Sequence, residues 1–284
     1  RPNGYHDVRM IMQTVKLHDN IDMERSDTPG IVLKTNLPFL PVNENNLMYR
    51  AAKMLMDEFH LEGGVRMSLR KVIPVAAGMA GGSADAAAVL YGMNRLFDLR
   101  LSLEELKKRG VQLGADIPFC LMRGTALSEG IGEILTPLPA LPACSIVLAK
   151  PAISVSTKAV YENLHVNTLP AEAHPDVDQV IEALKAQDVR AVAGRMGNIL
   201  ETVTSRQHPE IDAIKERMMA LGALNAMMSG SGPTVFGLFD DPEKAQACYR
   251  ALLSAKGKGI AKQVYLTEPW LQPSRTSPSR PARL

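Results

Sequence analysis

The stretch Pro74-Val75-Ala76-Ala77-Gly78-Met79-Ala80-Gly81-Gly82-Ser83-Ala84 runs straight into an alanine-rich segment, and Val65, Met67 and Leu69 alternate with Arg66, Ser68 and Arg70 just ahead of it. Alternation with period two marks a half-buried strand. The order is therefore strand, small-residue loop, helix. Without bulky side chains, backbone N–H groups can reach phosphate oxygens, and the helix adds its unsatisfied N-terminal donors and positive dipole end. A phosphate cradle is the expected use; a loop whose glycines only let a helix pack tightly on a sheet is the alternative.

Gly78 to Ser83 carries no lysine, and neither Gly-x4-Gly-Lys-[Ser/Thr] nor Gly-x-Gly-x-x-Gly occurs in the chain. Both of the commonest nucleotide loops are thereby disfavoured.

The chain has 284 residues, enough for two domains. Three prolines between Pro137 and Pro142 precede the apolar run Ile146 to Ala149. A boundary near 145 to 155 follows, giving domains 1–150 and 151–265, with a serine-, arginine- and proline-containing tail, 266–284, expected to be disordered. A net charge of +2 gives no electrostatic case for nucleic acid or a membrane. Cys120, Cys144 and Cys248 form no CxxC pair, and the six histidines form no HExxH. Reduced, buried cysteines and no metal-ligand cluster are expected. No apolar run approaches the roughly 20 residues of a membrane span and no leader pattern is present, so a cytoplasmic protein is expected.

Leu47, Ala51, Leu55 and Phe59 make one helical face, ended near Gly63-Gly64. A second helix starts at Ser102 with Glu105 as a capping box and is expected to finish before Gly110. Val177, Val180, Ile181 and Leu184 form a stripe, as do Ile211, Ile214, Met218 and Leu221. Val235 to Phe239 reads as a strand, and Asp241-Pro242 opens a last helix. Mixed helices and strands without repeats give an α+β fold in two domains.

Three further segments join the loop. In Gly114-Ala115-Asp116-Ile117-Pro118-Phe119 the acid either caps a turn or takes a proton from an attacking hydroxyl. Met228-Ser229-Gly230-Ser231-Gly232-Pro233-Thr234 is a second small-residue loop, and Arg1-Pro2-Asn3-Gly4-Tyr5-His6-Asp7 sets an aromatic ring beside an imidazole.

Together, in this order, the four segments resemble the GHMP kinases. With Lys150-Pro151 and Val155-Ser156-Thr157 added, the set is similar to the branch that phosphorylates the 2-hydroxyl of a cytidine-diphosphate methylerythritol in the non-mevalonate isoprenoid route. The resemblance covers residues 1 to 265. It implies an N-terminal domain like domain 2 of ribosomal protein S5, a C-terminal ferredoxin-like α/β sandwich, ATP as donor, and Mg2+. It implies Asp116 as the catalytic acid-base residue, Pro74 to Ala84 with Lys71 and Asn46 around ATP, and Tyr5, His6, Thr157 and Tyr161 around the cytidine substrate. A monomer or weak homodimer is expected. In those kinases a Lys-Ile-Asn strand precedes the Gly-Tyr-His segment and supplies a catalytic lysine; the sequence is expected to start after that strand. Alternatives are a homoserine- or mevalonate-type GHMP kinase, or a nucleotide-binding protein inactive for lack of that lysine.

Overall fold

The structure, a computed structural model, describes residues 6–254 and 260–271; Tyr5 therefore lies outside the described residues. The first half carries two three-stranded sheets. In one, β4 (Gly64–Arg70) lies between β2 (Asn20–Ser26), antiparallel to it, and β3 (Gly30–Thr35), parallel to it. In the other, β5 (Thr125–Gly130) lies between β1 (Val8–Gln13) and β6 (Ile134–Pro137). Val65, Met67 and Leu69 face a core shared with α1 (Leu47–Glu58), α2 (Gly81–Leu96), Leu106 of α3 (Leu103–Leu113) and Ile117 of α4 (Ile117–Met122). The alternation read in the sequence is this buried face.

The second half is built on an antiparallel sheet in the order β10 (Gln263–Thr267), β7 (Ser145–Lys150), β9 (Val235–Phe239), β8 (Asn225–Met228). One face packs on α9 (Glu210–Ala220) and α10 (Pro242–Leu253), along with α5 (Thr157–Glu162) and α8 (Glu201–Gln207). The other face packs on α6 (Val177–Lys185) and α7 (Val189–Arg195), and Ile11 and Met79 of the first half join that cluster. With both faces covered, β7 is almost wholly buried, which is why Ile146 to Ala149 is a continuous apolar run.

The capping box of α3 is complete, with Ser102 Oγ accepting from Glu105 N and Glu105 accepting from Ser102 N. The helix nevertheless continues through Gly110 to Leu113. Gly110 serves a close approach, since a Cβ there would stand 2.7 Å from Ile117 Cγ2. Two boundaries also differ from the reading. Ser145–Lys150 belongs to the second sheet. Residues 266 to 271, expected in the disordered tail, are ordered: β10 runs to Thr267, Pro269 bridges Val15, and Trp270 N–H donates to Thr14 O. Residues 272–284 lie outside the described residues. Of the cysteines, only Cys248 is fully buried, and all three are free thiols.

Candidate active site

The first loop leaves β4 and reaches α2 through three left-handed residues, Ala76, Gly78 and Ala80. Ala80 occupies the N-cap position of α2 in that conformation and provides no side-chain cap. The N–H groups of the first turn are therefore left for a ligand, and the dipole of a 16-residue helix points the same way.

The second glycine loop, between β8 and β9, interlocks with the first. Ser229 Oγ donates to Gly78 O at 2.8 Å, and Thr234 N–H donates to Ala77 O at 3.4 Å. Gly78 has φ +68°, and a Cβ there would lie 2.2 Å from Ser229 O and 2.9 Å from Gly232 N. No residue but glycine fits at this crossing. The two loops, taken from opposite halves of the chain, thus meet directly.

Asp116 stands at the N-cap position of α4, but its side chain makes no capping hydrogen bond. The turn-cap alternative is thereby removed. Burial pushes its carboxyl above the usual carboxylate range. The ring of Tyr161, on α5, lies close enough to feel the Asp116 charge; burial first, then that charge, raises the Tyr161 phenol. His6 sits 5.2 Å from Tyr161, ring centre to ring centre, tilted by 36°. His6 Nδ1 is buried with no hydrogen-bond partner among the described residues. A buried polar atom without a partner beside an aromatic face is poised to read the edge of a stacked ring. Thr157 Oγ1 pairs with Ser231 Oγ at 2.8 Å, joining α5 to the second loop. Lys150 donates to Ile153 O at 2.7 Å and so fixes the connection that aims α5. Desolvation lowers its ammonium pKa.

Ser83 Oγ is within 4 Å of where a Cβ on Gly114 would be, so it faces the Asp116 segment. Asn46 caps α1 through Met48 N–H and donates to Pro41 O. Leu47, next to it, reaches Gly82 at the start of α2. Lys71, expected near ATP, has its ammonium 2.6 Å from both Asp19 and Asp85, and only 4% of the side chain is exposed. Two carboxylates thus take up its charge within the protein.

Sequence reasoning missed Asp19 and Asp85, and on the other side Asn198, Glu201 and Thr204. Asn198 Nδ2 donates to Met228 O and Gly230 O, Glu201 accepts from Met228 N–H, and Thr204 donates to Ser231 O. An aspartate buried in an alanine-rich helix was the one available signal. Among the described residues no group of three or more His, Cys, Asp or Glu could hold a metal, and no helix is long and apolar enough to cross a membrane.

Comparison with known proteins bears on this cleft. Residues 46–124 match the family described as the GHMP kinases N terminal domain, and residues 180–259 match GHMP kinases C terminal. A curated 4-diphosphocytidyl-2-C-methyl-D-erythritol kinase of Lachnospira eligens is 58% identical over 94% of this chain and 91% of its own. The chain belongs to the GHMP kinases and, within them, to the 4-diphosphocytidyl-2-C-methyl-D-erythritol kinase family. A crystal structure of 4-(cytidine 5'-diphospho)-2C-methyl-D-erythritol kinase superposes with TM-score 0.76 at 32% identity, covering 95% of this chain and 92% of that one. A homoserine kinase from Cytophaga hutchinsonii also reaches TM-score 0.76, over 90% of this chain and 88% of that one, but at 22% identity it shares the fold alone. The chain is an enzyme, a kinase, with the two-domain α+β fold of this superfamily.

Proposed function

We propose that the chain transfers the γ-phosphoryl group of ATP to the 2-hydroxyl of 4-diphosphocytidyl-2-C-methyl-D-erythritol. The observation that carries the reading is the uncapped carboxylate of Asp116 between the interlocked glycine loops and the Tyr161–His6 pair. The α2 N-terminus and the Gly78 loop take the triphosphate. Tyr161 stacks on the cytosine ring and His6 meets its edge. Asp116 accepts the hydroxyl proton as the new O–P bond forms and the bond to the ADP oxygen breaks. Because burial holds the Asp116 proton more tightly than usual, the carboxylate that does this work is gained as pH rises through its raised pKa.

Phosphoryl transfer of this kind needs charge neutralisation at the phosphates. Mg2+ takes one or two protein oxygens and completes its shell with phosphate and water. Asp116, with no capping hydrogen bond, and Ser83, facing its segment, fit such a role. When bound, the ion would offset charge on the transferring group. The kinase is proposed to act in the cytoplasm, as a monomer or weak homodimer.

The test is to mix the protein with ATP and the cytidine substrate and follow ADP and the new phosphomonoester by phosphorus NMR. The measurement is repeated with the protein extended N-terminally by a Lys-Ile-Asn strand, and with homoserine or mevalonate as acceptor. Transfer to homoserine or mevalonate in preference, or to no acceptor in either form, overturns the assignment. Asp116→Asn is expected to lower kcat by about 10²–10⁴-fold, with nucleotide binding and Tm unchanged. A near-parental kcat removes Asp116 from the chemistry.

A further inference from the structure

The short segment that joins β4 to the first glycine loop is held almost entirely by side chains from elsewhere. Lys71 N–H donates to Asn36 Oδ1 at 2.7 Å, and Asn36 Nδ2 donates to Lys71 O at 3.2 Å. Asp19 Oδ1 accepts from both Val72 N–H and Ile73 N–H, at 2.5 and 2.8 Å. Tyr265 of β10 donates to Val72 O at 3.1 Å. Asp19 Oδ2 meanwhile accepts from the Lys71 ammonium, which bridges to Asp85 on the second turn of α2. One carboxylate therefore holds the start of the loop with one oxygen and, through Lys71, the helix at its far end with the other. Gly81 leaves room for the bridge, since a Cβ there would stand 3.0 Å from Lys71 Nζ.

Stability alone gives little reason for this arrangement. A buried ion cluster has to offset a large desolvation cost, and well-packed apolar residues of similar volume often serve stability as well or better. What apolar residues cannot do is orient backbone groups. N–H donors that are to converge on one phosphate need a loop fixed at both ends, and Asp19 reaches both.

We propose that Asp19 is a positioning residue for nucleotide binding, acting through Lys71 and Asp85 to lock the Pro74–Ala80 loop to the first turns of α2. This rests on the reading of that loop as the triphosphate cradle. The cytidine side, on α5 and at His6, shares none of these bonds.

The experiment titrates the whole protein with a non-hydrolysable ATP analogue and, separately, with CDP, by calorimetry, alongside a Tm. Asp19→Ala removes every bond; Asp19→Asn keeps an oxygen for the two N–H groups but places an amide NH2 against the Lys71 ammonium. Loss of one such hydrogen bond corresponds to about tenfold in affinity. Asp19→Asn is expected to bind the ATP analogue about tenfold more weakly and Asp19→Ala more weakly still, with CDP affinity within about twofold of the parent. Unchanged analogue affinity in a folded variant overturns the proposal, as do equal losses for both ligands, which mark Asp19 as a general support of the fold. If Asp19→Ala does not fold, Asp19→Asn is judged by the same criteria. A parent protein that binds CDP but not the ATP analogue overturns the cradle reading itself, and the proposal with it, before any variant is compared.

Discussion

The first glycine loop is mounted on buried charge, whereas the second is mounted on one short helix and the turn that leads into it. Asp19, Lys71 and Asp85 lie under Pro74 to Ala80, all nearly inaccessible to solvent. Beneath Met228 to Ser231, Asn198 just before α8 and Glu201 and Thr204 within it stand at three-residue spacing and take backbone groups of the loop. Glu201 is itself paired with Lys215, whose side chain is 24% exposed against 18% for Glu201. The difference follows from what each loop faces. On the proposed reading of the first loop as a triphosphate cradle, its donors have to be aimed before the ligand arrives, and a buried mount serves that. A loop that joins the two halves needs only to be held in register. Its ion pair is more exposed than that of the first mount, and its bonds to the loop come from separate side chains.

The sharpest way to break the comparison is at the crossing. Gly78→Ala puts a Cβ into the Ser229 carbonyl from a left-handed backbone, and a cost of about 3 kcal/mol is expected. The readout is a Tm lower by about 5–10 °C, together with loss of nucleotide binding. A silent Gly78→Ala would mean that the loops do not need each other.

Next in size is the response to pH of the charged mount. Burial, outweighing the opposite pull of Lys71, raises the Asp85 carboxyl from 3.8 to about 7. The groups that face it are Lys71, Asp19 and the Cys120 thiol of α4. Between those two values the folded protein holds a proton that the unfolded chain has released. The contribution of this group is therefore full below pH 3.8 and is lost as pH rises through 7. Asp85→Asn is neutral throughout and should flatten the fall in stability between pH 5 and 8, by about 2 kcal/mol. Denaturant melts at several pH values measure it, and parallel curves for parent and variant would show that Asp85 keeps its charge state.

The second mount should yield less. Asn198→Ala leaves the carbonyls of Met228 and Gly230 without their donor, for about 1–2 kcal/mol. CDP and nucleotide affinities should fall together, because this loop touches both sides of the cleft. Smallest of all is Gly230→Ala. Its backbone is left-handed, but a Cβ would be 3.3 Å from Gly78 O, so about 1 kcal/mol is expected. A Gly230→Ala loss as large as that of Gly78→Ala would erase the distinction between the loops.

Features written in consecutive residues were legible in the sequence. Strand, loop and helix around Gly78, the Ser102–Glu105 box and the Asp241-Pro242 helix start all depend on neighbours a few residues apart, and all formed as read. Gly110 misled because a glycine needed for a close approach to Ile117 looks the same in sequence as one that ends a helix. The surroundings of Lys71 were illegible for a related reason: Asp19, whose carboxylate takes its ammonium, lies 52 residues earlier. The support under the second loop gave no signal at all, since α8 has seven residues and no apolar stripe long enough to show a period. The two glycine loops could be picked out because each is written in its own consecutive residues, and they meet through Ser229 and Gly78, while the groups that hold them in place are scattered.

One fastening in the fold has a meaning for how the chain is made. Residues 14 to 17 lie beside residues 267 to 270: Lys16 N–H donates to Glu268 O, Trp270 N–H to Thr14 O, and Leu17 N–H to Thr267 Oγ1. A ribosome releases Leu17 long before its partner, 250 residues later. The core around α1, α2 and β4 can gather from the first half alone, but the seam along residues 14 to 17, which continues β1 away from His6, closes last. Vectorial synthesis thus lets that core gather early, whereas the bond from Tyr265 to Val72 O and the seam at residues 14 to 17 both wait for β10 and the residues just after it.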